Sequence, residues 1–89
     1  MKSDSNSNLP GAGDLVRLTS GQGTYTGVVK YHRAWFDVEP EMIGLVIEPA
    51  SDIATQEGYR RWEATVLFEG CPVTVDIRAF RRLGARAQR

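Results

Sequence analysis

A chain of 89 residues with one cysteine, Cys71, cannot form an internal disulfide. With one histidine, His32, beside it, the sequence also falls short of the roughly four N or S ligands of a structural zinc site. No apolar run approaches the roughly 18 residues that a bilayer-spanning helix needs. Residues 1–8 are polar and lack the apolar stretch of a secretion signal. These absences point to a soluble, cytoplasmic protein with no membrane partner. Helical periodicity is missing as well: no stretch repeats apolar residues over several turns, and no long internal repeat is present.

What is present is ordinary for a folded domain. Hydrophobic residues at 42% and charged residues at 25% exclude both wholesale disorder and a coiled coil. A chain this short buries only roughly 60–65% of its unfolded surface, so one core is the limit. The net charge is zero but unevenly spread. Residues 78–89 hold five arginines and no acid, leaving six basic against eleven acidic residues in 1–77. The chain reads as an acidic body with a basic tail.

Residues 1–12, rich in Ser, Asn, Gly and Asp, offer little to bury and are expected to be a flexible arm. In 14–19, Val16 and Leu18 share one face and Arg17 the other, the two-residue period of a half-buried strand. Gly21 and Gly23 mark a turn. Residues 25–32 have strand composition, with Gly27 marking a bulge or a close backbone approach. Residues 33–41 combine Trp35, Phe36 and Val38 with acids and Pro40, and are expected to be irregular or a short strand.

In 42–48, Ile43, Leu45 and Ile47 point one way and Gly44, Val46 and Glu48 the other, and Pro49 is expected to end the strand. Residues 50–58 read as an exposed loop. Residues 59–68 form the clearest long strand, with Trp62, Ala64, Val66 and Phe68 on one face. A tight connection at 69–72 leads into Val73, Val75 and Ile77, which predicts an antiparallel hairpin. Residues 78–80 suit a single helical turn, and a strand at 81–83 would bring Phe80 and Leu83 into the core. The expected architecture is all-β: a small five- to six-stranded barrel over 13–83, an arm at 1–12 and a basic tail at 84–89. Closure into a barrel would remove exposed sheet edges.

No converging nucleophile, base and oxyanion donor can be read from the sequence, so no catalytic, cofactor or metal residues are assigned and the expectation is a non-enzyme. Cys71 and His32 have no partner motif. Asp37, Glu39 and Glu41 alternate, which suits an acidic rim, a hard-cation site or a docking patch for a basic partner. Gly21-Gln22-Gly23 lacks the Lys-Ser/Thr and the helix of a phosphate-binding loop. The aromatics outnumber the needs of one small core, and Tyr25, Tyr31, Trp35 and Phe36 are each candidates for core cover or for a partner contact. Arg81, Arg82, Arg86 and Arg89 suit nucleic-acid phosphates, carboxylates of an acidic protein surface, or solubility alone.

Gly13-Asp14-Leu15-Val16, Gly44-Leu45-Val46-Ile47-Glu48 and Val66-Leu67-Phe68-Glu69-Gly70 occur in an order that resembles SH3-like and KOW-type barrels. The closer resemblance, over residues 13–83, is to short proteins of tailed bacteriophages. It implies an SH3-like barrel. The expected function is a non-enzymatic interaction module that binds other protein subunits through the aromatic long loop and the flexible arms, as a homo-oligomer or as a minor component of a capsid or tail, located in the virion or host cytoplasm. The other reading is a KOW-like nucleic-acid-binding accessory protein acting through the terminal arginines. The segment between Leu18 and Ile43 is longer than in the resembling pattern.

Overall fold

The computed structural model describes residues 9–19, 21, 23–54, 58 and 60–83, with backbone alone for 52–54, 60 and 61. Residues 1–8, the tail at 84–89 with Arg86 and Arg89, Gln22 and Tyr59 lie outside the described residues.

Alternating apolar residues set the strands: β1 (Leu15–Leu18), β2 (Tyr25–Val29), β3 (Trp35–Val38), β4 (Gly44–Ala54), β5 (Arg60–Phe68), β6 (Cys71–Asp76) and β7 (Phe80–Arg82). A 3₁₀ turn, Ile77–Ala79, joins β6 to β7, with the Asp76 side chain accepting from the Arg78 backbone N–H as its cap. The strands form one antiparallel sheet in the order β3-β2-β6-β5-β4-β1-β7.

The sheet has seven strands where five to six are expected. The additional one is β3, which pairs with β2 from Tyr25↔Val38 to Val28↔Trp35. Pro40 falls beyond Val38, in the following turn, and so costs the ladder nothing. β4 also runs past Pro49 to Ala54. Its register against β5 slips between Val46 and Glu48 and again between Glu48 and Ser51, and the missing N–H of Pro49 falls within that irregular stretch. At the Glu69-Gly70 turn both residues have positive φ, 52° and 80°, a geometry that closes a two-residue hairpin.

The sheet curls into a half-barrel, leaving β3 and β7 as edges. Within the sheet the β2–β6 pairing is short, covering only Val28↔Thr74 and Val29↔Val73. Inside the curl, Val16, Leu18, Val38, Val46, Ala64, Val66, Phe68, Val73, Val75, Ile77 and Phe80 form the core. Each large side chain buried there contributes about 1.5–3 kcal/mol.

Phe68 is central: its ring stands 6.0 Å from Phe36 and 5.8 Å from Phe80, and Phe80 meets Tyr25 edge-on at 5.4 Å. Rings from β2, β3, β5 and β7 thus meet across the hollow. Gly44 makes room for them, because a Cβ there would stand 2.4 Å from Val66 Cγ1 and 2.5 Å from Phe68 Cε1. The crowding it relieves is against Val66 and Phe68. Gly27 is a close approach of the same kind, with Val73 Cγ1 at 2.5 Å from such a Cβ.

Residues 9–14 lie against the sheet rather than apart from it. Pro10 is buried, Leu9 packs on the core, and Gly13 N–H donates to Val46 O at 2.8 Å. Asp14, 1% exposed, accepts from Gly11 N–H at 2.8 Å and from Arg82 Nε at 3.1 Å. Arg82 also donates to Leu9 O at 3.2 Å. Leu83 is half-exposed and outside the core cluster, unlike Phe80. Its N–H bonds Leu15 O, which puts it level with Leu15 on the outer face.

Candidate protein-docking surface

Register decides which side of the sheet each aromatic serves. Tyr25 and Phe36 lie opposite Val38 and Gly27 on the inner face and pack against the core. The Tyr25 hydroxyl additionally accepts from Asp76 N–H at 2.8 Å, spanning the gap where β2 and β6 separate. Trp35 lies opposite Val28 on the outer face and is 74% exposed. Tyr31, in the turn of the β2–β3 hairpin, is 85% exposed with φ 69°. Of the four aromatics singled out from sequence, two therefore face solvent on one hairpin and two are core.

The hairpin holds these two side chains in place by a local network. Val29 N–H donates to Ala34 O at 2.9 Å and His32 N–H to Val29 O at 3.2 Å, closing the turn. A left-handed φ at a non-glycine residue carries a strain of order 1 kcal/mol. The neighbouring lysine offsets that strain, since Lys30 Nζ sits 5.4 Å from the centre of the Tyr31 ring. Lys30 also pairs with Glu48 on β4 and donates to Thr65 Oγ1 at 3.3 Å, while Thr65 Oγ1 donates to Glu48 Oε1 at 2.8 Å. The Lys30 hydrogen bond, then that of Thr65, holds the Glu48 carboxyl below the usual carboxylate range. The same bond to Glu48 raises the Lys30 ammonium above its ordinary value.

β3 is an open edge. Because Val29 and Ala34 form a hydrogen-bonded pair, alternation turns the N–H and C=O of Trp35 and Asp37 away from β2, toward that edge. Behind Trp35 lies a groove of about 630 Å³ at the β2–β6 separation, lined among others by Val28, Trp35, Thr74, Asp76 and Arg78. The arrangement combines an aromatic plate, a shallow trough and unpaired strand groups. It can receive an extended segment that extends the ladder and lays an apolar or cationic side chain on Trp35.

The remaining sequence candidates fall elsewhere. Arg81 is exposed on the outer face, opposite Arg17. Arg82 is engaged by Asp14 and Leu9 as described. Asp37 accepts from Thr26 Oγ1 at 3.1 Å and Glu39 from Thr24 Oγ1 at 3.0 Å, so two of the three alternating acids hold the hairpin strands and loop together. Among the described residues no group of three or more His, Cys, Asp or Glu is placed to hold a metal ion. Cys71 packs against the core, and His32 is exposed in the hairpin turn.

Sequence reasoning missed the exposed row on β1 and β4. Leu15, Ile43, Leu45 and Ile47 are 49%, 54%, 36% and 41% exposed. Alternation in 42–48 separates the two sets of side chains without saying which faces the core. No protein-family model, no curated protein and no solved structure matches the chain.

Proposed function

We propose that this chain is a non-enzymatic protein–protein interaction module of SH3-like type, which docks a partner segment by strand addition on β3 with Trp35 and Tyr31 as anchors. The observation that carries the reading is the open β3 edge beside a 74%-exposed tryptophan. Exposed aromatics beside a strand edge are the means by which sheets capture extended peptides. The order of the strand motifs favours one setting, a minor structural component of a tailed-phage particle, with other subunits of the particle as partners.

The test is retention of a particle or host-cell component on the immobilised full-length chain, compared with Trp35→Ala and Asp37→Pro. Trp35→Ala removes the anchor. Asp37→Pro removes an N–H that the fold itself does not use while blocking an added strand, and Thr26→Val is the control for the Thr26–Asp37 side-chain bond lost with it. Loss of the retained component with both variants, at unchanged circular dichroism, supports the reading. Equal retention by all three proteins overturns it.

A second reading rests on Arg17 and Arg81, adjacent on the outer face. They would serve a nucleic-acid contact continued by the terminal arginines. Binding of labelled DNA or RNA that persists at physiological salt and is lost on Arg81→Ala would replace the first reading with this one.

A further inference from the structure

The segment around β3 changes sign along its length. Residues 30–34 hold Lys30, His32 and Arg33 and no acid, whereas 36–41 hold Asp37, Glu39 and Glu41 and no base. Trp35 stands between the two halves, 74% exposed. An edge guarded against its own kind carries charge of one sign, which repels an approaching copy. This edge carries both signs, so an antiparallel copy brings base to acid at both ends.

The acids are held ready for such a contact. Asp37 accepts from Thr26 Oγ1 and Glu39 from Thr24 Oγ1, which keeps both carboxylates on the outer face beside Trp35. Arg33 is exposed and borders the outer-face trough next to Val28. The backbone imposes a register of its own. Within β3 only Trp35 and Asp37 turn their N–H and C=O away from β2. A second β3 that uses all of these groups lies antiparallel and centred on Phe36, with Trp35 of each copy opposite Asp37 of the other.

We infer that the strand received at β3 is β3 of a second copy of this chain, paired edge to edge about a two-fold axis at Phe36. The inference rests on the strand addition proposed above and names its partner. Each Trp35–Asp37 pair exchanges both of its N–H···O=C bonds, and symmetry makes the pair twice. The two tryptophans become diagonal neighbours across the axis, roughly 7–8 Å apart at the backbone and within reach of each other. Arg33 of each copy lies opposite Glu39 of the other and diagonal to Asp37, so the charges on either side of Trp35 are matched. The contact is isologous, closes at two copies and continues the seven-stranded sheet of one copy into that of the next.

Sedimentation equilibrium of the full-length chain tests the pairing, taken up to about 1 mM because so short an edge falls below the ~1,200–2,000 Å² of a standard interface. The expected species is twice 9.9 kDa. Asp37→Pro should give a monomer at unchanged circular dichroism, while Thr26→Val, which removes only the side-chain bond to Asp37, should leave the dimer. Arg33→Glu sets acids on both sides of Trp35, and Asp37→Lys with Glu39→Lys sets bases on both sides. Each should weaken self-association about tenfold or more, and an equimolar mixture of the two should restore it. A wild-type chain that stays monomeric overturns the inference; if it still retains a particle or host-cell component through Trp35, strand addition stands with another partner. A dimer that survives Asp37→Pro, or a mixture that associates no better than either variant alone, also overturns it. Retention and self-association that are both indifferent to Asp37→Pro overturn strand addition itself.

Discussion

Along β1, β4 and β5, neighbouring residues of the same strand live in opposite environments. Val16, Val46, Val66 and Phe68 are at most 1% exposed and pack on one another, while Leu15 and Leu45, one position away, stand in solvent. The inner face is accounted for by packing around Phe68. The outer face of the same strands also carries apolar side chains, Leu15, Leu45 and Ile47, and nothing among the described residues covers them. Apolar content alone therefore does not identify the core of this sheet; the space left by Gly44 does.

The contrast can be broken most severely from inside. Phe68→Ala removes the ring on which Phe36 and Phe80 rest, and should cost about 3–5 kcal/mol in urea unfolding. A loss near zero would mean that the three-ring contact does not organise the core. Asp14→Ala should follow at about 2–3 kcal/mol, because it strips the carboxylate from the Gly11 amide and the Arg82 guanidinium at a site 1% exposed. Arg82→Ala, which leaves the Asp14 carboxylate buried without its guanidinium partner, should cost at least as much in the same assay.

The outer face should respond differently. Trp35→Ala should change unfolding free energy by no more than about 0.5 kcal/mol while abolishing partner retention. A large loss of stability would make Trp35 part of the fold rather than of the docking surface.

The smallest effect is one of pH. The Glu48 carboxyl is held low in the folded state by Lys30 and Thr65. Its contribution is complete above the unfolded carboxylate range and fades as pH falls through the folded value. The Lys30 ammonium is held high, so its contribution persists through neutrality and is lost only as pH rises through its folded value. Glu48→Gln should therefore flatten the acid side of a Tm-versus-pH curve below about pH 5 and leave the curve through neutrality flat. An unchanged acid slope would assign the slope to other carboxylates.

Much of the inner face can be read from sequence. Two-residue alternation identifies Val16 and Leu18, then Ala64, Val66 and Phe68, and then Val73, Val75 and Ile77, all of which point into the curl. The single turn before β7 is read to within a residue. Three features escape such reading, each for a physical reason. In 42–48 the bulkier alternating set, Ile43, Leu45 and Ile47, is the one outside, because the space beneath Gly44 is filled by Val66 and Phe68. At Pro49 a bulge absorbs the missing donor and the strand continues to Ala54. In 33–41 the mixture of aromatics and acids suits an edge strand, where one side of the backbone lacks a partner and one face is wet.

The candidate docking surface was legible by residue type but not by orientation. Tyr25 and Phe36 differ from Tyr31 and Trp35 only in which side of the β2–β3 hairpin they occupy, and that depends on a register set by the Val29–Ala34 closure.

The sheet order also governs how the chain can acquire its structure. β4, β5 and β6 are consecutive, and their pairings close over short loops. β7 instead lies against β1, from the opposite end of the described chain. Local closures form early and distant ones late. On a ribosome the β4–β5–β6 meander would emerge and pair while β1 waits for a neighbour that has not yet been synthesised, with Asp14 still lacking Arg82. Synthesis through Arg82 is needed before β1 gains its second neighbour, and a chain ending before Phe80 would leave the Val16 and Leu18 side of β1 without β7.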